Sequence, residues 1–597
     1  MKQSTQLIAA AALGIGGIAV LIAAAAADRP LGGADARDTV ASQWEEYQAD
    51  VPKTIVELQP FRDTASIDFQ TPGDRGVATL VNLNPRVNAW FLLNLQRGVG
   101  GQSISYHLEN PRPDTQTLAL SAHGDGLRIT VDGGDTECGL WRDGQANVLQ
   151  QAQRSELPYA PLCGDRLYLR NTVAGTYTHL ERVTNFLRDH VWGGDQIVGF
   201  VKQELFNDAF LEKGGAGRAS MPEARTASAG APQPMQVAAT FAQRAVIPEH
   251  LEIDVGQGPA GLLLGQWYAI RDIAGMFISV IQPEAIGTPV SRPESRTVNA
   301  LDPVEAAAVD YMVAVDLSQF DLGFSLGTDH PRVGWSERVL ESARNPKLPG
   351  PDGIGSVAPL VVNGMVNPPT VELAAATFAG GFKREHGAFR SGALALQNHG
   401  SHYGFVEQGV IFSKLQPGLA TLIVDDTGAV RMKTWAAADD SGLSHVKYAR
   451  QNGVPLIEYD EKTASSLPGP LVNSWGPGNW SGSSEEHLRT LRAGACLLGS
   501  ATRRFLLYGY FSTATPSAMA RVFQAYGCQY AMHLDMNALE HTYFAVYSHK
   551  NARIAVQHLI EGMAEVDRKG GEELAPRFLS FPDDRDFFYL TRKRTAP

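Results

Sequence analysis

Glycine and proline punctuate this chain throughout, 60 and 34 times in 597 residues. Glycine enters left-handed turns freely, and proline lacks the N–H that a helix interior or central strand needs. Few uninterrupted stretches are left for long helices, so the chain reads as β-rich, with short strands between turns. The intervening residues are core formers. Hydrophobic residues make up 44%, with 24 Phe, 17 Tyr and 9 Trp, which excludes intrinsic disorder. At about 150 residues per domain, this length suggests two to four domains. Lys and Arg number 51 against 63 Asp and Glu, a net charge of −12. No long basic stripe appears, so nucleic acid is not expected as a partner.

After Lys2, Leu7 to Ala27 is an unbroken run of apolar or small residues. As a helix it is about 31 Å long, close to one hydrocarbon thickness. Residues 1–27 therefore read as a membrane anchor or as a cleaved signal peptide, and either exports the remainder. Four cysteines follow, none in zinc-ligand spacing. In an oxidising compartment Cys138 and Cys163, flanking a Gly- and Asp-rich loop, are expected to pair. Cys496 and Cys528 lie in apolar surroundings and suit either a second bridge or two buried thiols.

Residues 28–53 are polar and acidic, a spacer. Residues 54–212 read as a β-rich accessory domain, with alternating segments at Val77–Leu83, Ala89–Leu95, Ser103–Leu108, Leu118–Ala122, Leu127–Val131 and Arg166–Leu169. A helix with Leu180, Val183, Leu187 and Val191 on one face follows. Residues 213–236, rich in Gly, Ala, Ser and Pro, form the linker. Residues 237–300 are a β-rich extension, and strands alternate with short helices across 301–592.

The best-defined unit lies near the C-terminus. Phe505 to Phe511 is an apolar strand. Thr515-Pro516 supplies an N-cap and a first-turn proline. Met519, Val522, Phe523 and Tyr526 mark a helical face, and Gly527 suits the helix end. Tyr530 to Met536 is again a strand. This is a βαβ pattern, and it puts Asp535 at a strand's carboxyl end, where open α/β sheets place ligands. The fold class expected is α+β: an N-terminal β-rich accessory domain and a C-terminal mixed-sheet domain.

Three ordered segments resemble the phosphodiester glycosidase family. Ala376–Gly387 (ATFAGGFKREHG) is similar to its Asn-Gly-Gly-Phe turn. Gln451–Leu456 (QNGVPL) through Arg492-Ala-Gly is similar to its arginine-bearing strand. Phe505 to Tyr543 is similar to its strand, Thr-led helix and Leu-Asp-Gly-Gly strand end. The resemblance covers about half the chain, Leu301 to Arg592, and departs from the family at Ala379 (for Asn) and at Asp535-Met536-Asn537 (for Asp-Gly-Gly).

The resemblance implies hydrolysis of a sugar-1-phosphodiester in an envelope or extracellular glycan. Cutting a sugar from an anomeric phosphate calls for a carboxylate beside an oxocarbenium-like centre and for cations on the departing phosphate. Asp535, His386 and Arg492 are the catalytic candidates. Gly380, Gly381, Lys383, Arg390, Trp475, Asn537 and His541 are the substrate-binding ones, with the Gly-Gly backbone N–H groups as an anion cradle and Trp475 and Trp480 in a Gly-rich loop suited to stacking on sugar. His533, on the same strand face as Asp535, reads as a core histidine. No cofactor is required. Asp535, Asn537 and Glu540 offer oxygens to Ca²⁺, but a twelve-residue calcium loop is absent. Serine-hydrolase, zinc-peptidase and nucleotide-binding signatures are missing. The rival expectation is a non-catalytic glycan-binding or structural envelope protein.

Overall fold

The structure, a computed structural model, describes residues 56, 59–71, 74–98, 101, 103–141, 147–176, 208–217, 230–256, 261–287, 298–328, 360–383, 404–413, 415–473, 488–499, 503–550, 553–570 and 573–594. The chain is α+β and mostly β, built from antiparallel sheets. The segment expected to enter or cross the membrane, the helix at 180–191 and half of the expected linker lie outside the described residues. Among the described residues, no helix is long and apolar enough to cross a membrane.

The front part is a sandwich. A six-stranded sheet runs Asp63–Thr71, Asp74–Asn82, Trp90–Arg97, Ser103–Glu109, Leu167–Arg170, Tyr159–Leu162 in spatial order. It packs on a three-stranded sheet of Gln116–Leu120, Gly126–Val131 and Gly134–Gly139. All six strands expected there are present. Between the two sheets lies a core of Phe91, Leu93, Leu95, Leu127, Ile129, Trp141 and Leu167. Alternate side chains of a strand face opposite ways, and here both faces are covered. Trp90 and Leu92 turn away from that core into a second, larger one shared with Trp267, Val280, Tyr311, Phe412 and Phe588. Cys138 and Cys163 are joined by a disulfide at the sandwich rim, as expected.

The remainder is dominated by an eight-stranded sheet. Its order is Tyr268–Ala269, Met276–Ile281, Asp310–Asp316, Arg504–Ala514, Thr490–Gly499, Tyr530–Met536, Ile457–Asp460, Ser465–Pro468. The extension expected at 237–300 thus contributes two strands to this sheet. The βαβ pattern is present in split form. Arg504–Ala514 and Tyr530–Met536 are each antiparallel to Thr490–Gly499, which lies between them, so they run parallel to each other. The connecting helix, Pro516–Ala525, begins where the cap predicts: the Thr515 side chain accepts the N–H of Ala518. It buries Met519, Val522 and Phe523, and Gly527 takes a φ of 82° just past its end. A second disulfide, Cys496–Cys528, ties the inserted strand to that point.

Two further sheets have five strands each. One runs Phe320–Ser325, Phe587–Arg592, Ala374–Ala379, Phe544–Lys550, Arg553–His558. The other runs Val410–Ser413, Phe405–Glu407, Val446–Gln451, Ala420–Asp425, Val430–Thr434.

Candidate functional site

Strand ends from the eight-stranded sheet and the two five-stranded sheets meet at the Gly380-Gly381 turn. The turn leaves the Ala374–Ala379 strand, and its partner strand Phe587–Arg592 starts just after Asp586, because Ala379 pairs with Phe587. Asp586 organises the crossing. Its carbonyl accepts the N–H groups of Gly380 and Gly381 at 2.9 and 3.1 Å, and its carboxylate accepts the N–H of Phe382 at 2.6 Å. Arg450, near the end of the Val446–Gln451 strand, reaches in from the third sheet. Its Nε lies 3.1 Å from Asp586 Oδ2, Nη2 donates to the Gly380 carbonyl, and the guanidinium covers the Phe382 ring at 4.0 Å. Arg585 closes the other side, Nη1 donating to the Gly381 carbonyl at 2.6 Å.

Asp535 arrives from the eight-stranded sheet, one residue before the end of Tyr530–Met536. It presses directly on the turn. Gly381 has a φ of 93°, and a Cβ there would collide with the Asp535 carboxylate. Only glycine satisfies both the backbone and the space. Asp535 Oδ1 accepts its neighbour Met536's N–H at 2.8 Å, and His541 Nδ1 stands 3.8 Å from Oδ2. Burial lifts the Asp535 pKa from 3.8 to about 7, against the opposing pull of Arg585 and Arg450 and with a push from Asp586. Carboxyls raised in this way are suited to proton transfer near neutral pH.

The other expected residues fall in several places. Gly380, Gly381, Lys383, Asp535, Asn537 and His541 gather here. Lys383 pairs with Asp584 at 3.0 Å, beside Arg585. Asn537 has a φ of 79°, a conformation asparagine tolerates better than most residues. Thr490 donates to its side-chain oxygen at 3.0 Å. His541 Nδ1 lies 2.7 Å from the Met536 carbonyl. His386, Arg390, Trp475 and Trp480 lie outside the described residues.

Two expectations need correcting. The Gly-Gly N–H groups do not form an anion cradle, because the Asp586 carbonyl already takes both. The turn is a scaffold that presents Asp535. Arg492 is fully buried and does not fork outward. Nε donates to the Ala514 carbonyl and Nη2 to that of Leu488, both at 2.8 Å, while Nη1 meets the Met536 sulfur at 2.9 Å. Burial lowers its pKa to about 9. His533 is a core histidine, as expected: it is buried among Arg492, Arg450 and Asn452, and burial holds its pKa well below 6.5.

Sequence reasoning missed Arg450, Asp584, Arg585 and Asp586. The run Asp583-Asp584-Arg585-Asp586 resembles a solvated charge cluster, yet apolar Phe578–Phe581 and Phe587-Phe588 flank it. That flanking was the available signal, since charges wedged between core segments must be paired. Among the described residues, no group of three His, Cys, Asp or Glu side chains has metal-holding geometry.

No family model matches the chain, and no curated protein matches it. Among solved structures, it is similar to a hypothetical protein from Synechocystis, with 9% identity and a TM-score of 0.23 over 84% of this chain and 97% of that one. It is also similar to a protein from Burkholderia pseudomallei K96243 described as a putative exported protein, with 11% identity and a TM-score of 0.14 over 89% and 98%. Likenesses this weak bear on neither fold nor function.

Proposed function

We propose that this chain is an exported hydrolase that cleaves a sugar-1-phosphodiester in an envelope or extracellular glycan. The observation that carries this reading is Asp535, a carboxyl with a pKa near 7 that touches a left-handed glycine and is faced by Arg585. Near neutral pH a substantial fraction of it is ionised and can take a proton from water. Water then adds to the anomeric carbon, the bond from that carbon to the phosphate oxygen breaks, and its electron pair leaves with the phosphate monoester. The proton accepted by Asp535 returns to solvent. Arg585 and Lys383 supply positive field for the departing phosphate. The route needs no cofactor. Two disulfides and the apolar segment 7–27 support export, to a periplasmic or extracellular location.

The binding-protein reading is favoured by Ala379 in place of asparagine and by an Arg492 guanidinium committed to backbone carbonyls. Phosphorus NMR of the full chain with an N-acetylglucosamine-1-phosphodiester separates the two. The hydrolase releases a phosphate monoester, and Asp535→Asn stops the release. A binding protein shifts the substrate resonance without release.

A further inference from the structure

A buried arginine outside the Asp535 site joins the two segments that frame it. Arg577 is 1% exposed, with its guanidinium 4.4 Å over the Phe578 ring. Nε and Nη2 fork onto the Asp583 carboxylate, donating to Oδ2 at 2.7 Å and to Oδ1 at 3.0 Å. Nη1 donates to the Glu540 carbonyl at 2.6 Å. The fork holds the run from Asp583 to Asp586, and the third contact holds the turn that follows the Asp535 strand. The backbone of Arg577 is fixed in its own right. Its N–H donates at 3.0 Å to Asp567 Oδ1, which also accepts from the Tyr543 hydroxyl at 2.9 Å.

From Asp583 the connection continues into the site. Asp583 Oδ1 accepts the Arg585 N–H at 2.9 Å, and Arg585 Nη1 donates to the Gly381 carbonyl at 2.6 Å. Gly381 is the residue on which the Asp535 carboxylate presses. The charged and titratable groups that face Asp535 are Arg585 and Asp586 from this run, Arg450 and Arg492 from neighbouring strands, and His541 from the turn. Among them Arg585 exerts the strongest pull against the burial that raises the Asp535 pKa. It is also the one whose backbone hangs on Asp583. A bidentate guanidinium fixes a carboxylate in direction as well as distance. Lysine carries the same charge on one ammonium and cannot fork, so what Arg577 supplies is geometry rather than charge.

We propose that Arg577 is a positioning residue for the Asp535 site, holding the 583–586 run to the 537–541 turn so that Arg585 stays beside the carboxylate. Its effect on turnover rests on the hydrolase reading, whereas its effect on the ionisation of Asp535 does not.

Full-length protein carrying carbon-13 in its aspartate carboxyls tests this by NMR titration through neutral pH, with Asp535 assigned as the resonance missing from Asp535→Asn. The parent midpoint should lie near 7. In Arg577→Lys the charge is kept and the fork is lost, so Arg585 moves off and the midpoint should rise by about half a pH unit or more. Asp583→Asn should also raise it, although neutralising a nearby carboxylate would by itself lower it, and this variant decides alone if Arg577→Lys does not fold. Cys138→Ala with Cys163→Ala, in the front sandwich, should lower the melting temperature and leave the midpoint where it is. Where the diester is cleaved, kcat of Arg577→Lys should fall about tenfold or more and its rise with pH should move up with the midpoint. A folded Arg577→Lys with the parent midpoint, or an equal shift in the cysteine variant, overturns the proposal. A parent without turnover whose midpoint still shifts in Arg577→Lys removes the hydrolase reading and leaves the positioning role standing.

Discussion

Asp535 and Gly381 work as a pair, and each predicts a different experiment. Asp535 ionises near 3.8 when unfolded and near 7 when folded. Between those values the native chain keeps a proton that the unfolded chain has lost. Stability attributable to this group therefore falls as pH rises through that window, and the full cost, roughly 4 kcal/mol, is present above it. Asp535→Asn removes the titration, so it should raise the melting temperature more at pH 8 than at pH 5 while abolishing turnover. An equal shift at both pH values would contradict the burial argument. Gly381→Ala forces a Cβ onto the carboxylate at a φ of 93°. Thermal denaturation should show a loss of about 2–4 kcal/mol, combining backbone strain with the clash, and a melting temperature matching the parent would remove Gly381 from its scaffolding role. Asp535 was legible because a carboxylate at a strand end after a capped helix stands out locally. Arg450 and Asp586 were not, since what makes them matter is a meeting of residues 136 positions apart in the chain.

At the scale of elements, the strand, the Thr515 cap, the helix and the Tyr530–Met536 strand could all be read from local pattern. What could not be read was the strand inserted between the parallel pair. Thr490–Gly499 precedes both in sequence, and nothing in a local periodicity says which neighbours a strand will choose. The Cys496–Cys528 disulfide holds this arrangement, joining the inserted strand to the end of the helix across a separation of 32 residues. Closing a loop of that length is worth about 3–4 kcal/mol. Cys496→Ala with Cys528→Ala should lower the melting temperature by a corresponding amount under non-reducing conditions, and reducing the parent should move it the same way. A double variant as stable as the parent would show that the bridge contributes nothing.

At the scale of the whole molecule, the front sandwich is not an appendage. Trp90-Phe91-Leu92-Leu93 is continuously apolar because its strand feeds two cores, Phe91 and Leu93 on one side and Trp90 and Leu92 on the other. Such a run signals burial on both faces, and it was the local clue that the sandwich is packed against the rest. Asn84 donating to Gly409 and Arg170 to Asn363 tie the same surfaces together. Scanning calorimetry should accordingly show front and rear unfolding in one transition. A separate early transition confined to the front strands would contradict the shared core. The central claim is that Asp535 serves the cleavage of a sugar-1-phosphodiester, and the pH dependence of that turnover tests it most directly. The parent should release phosphate monoester with a kcat that rises through about pH 7 as Asp535 ionises, and Asp535→Asn should release none. Turnover that survives Asp535→Asn with the same pH dependence, or a parent that binds the diester and never cleaves it, would contradict the account.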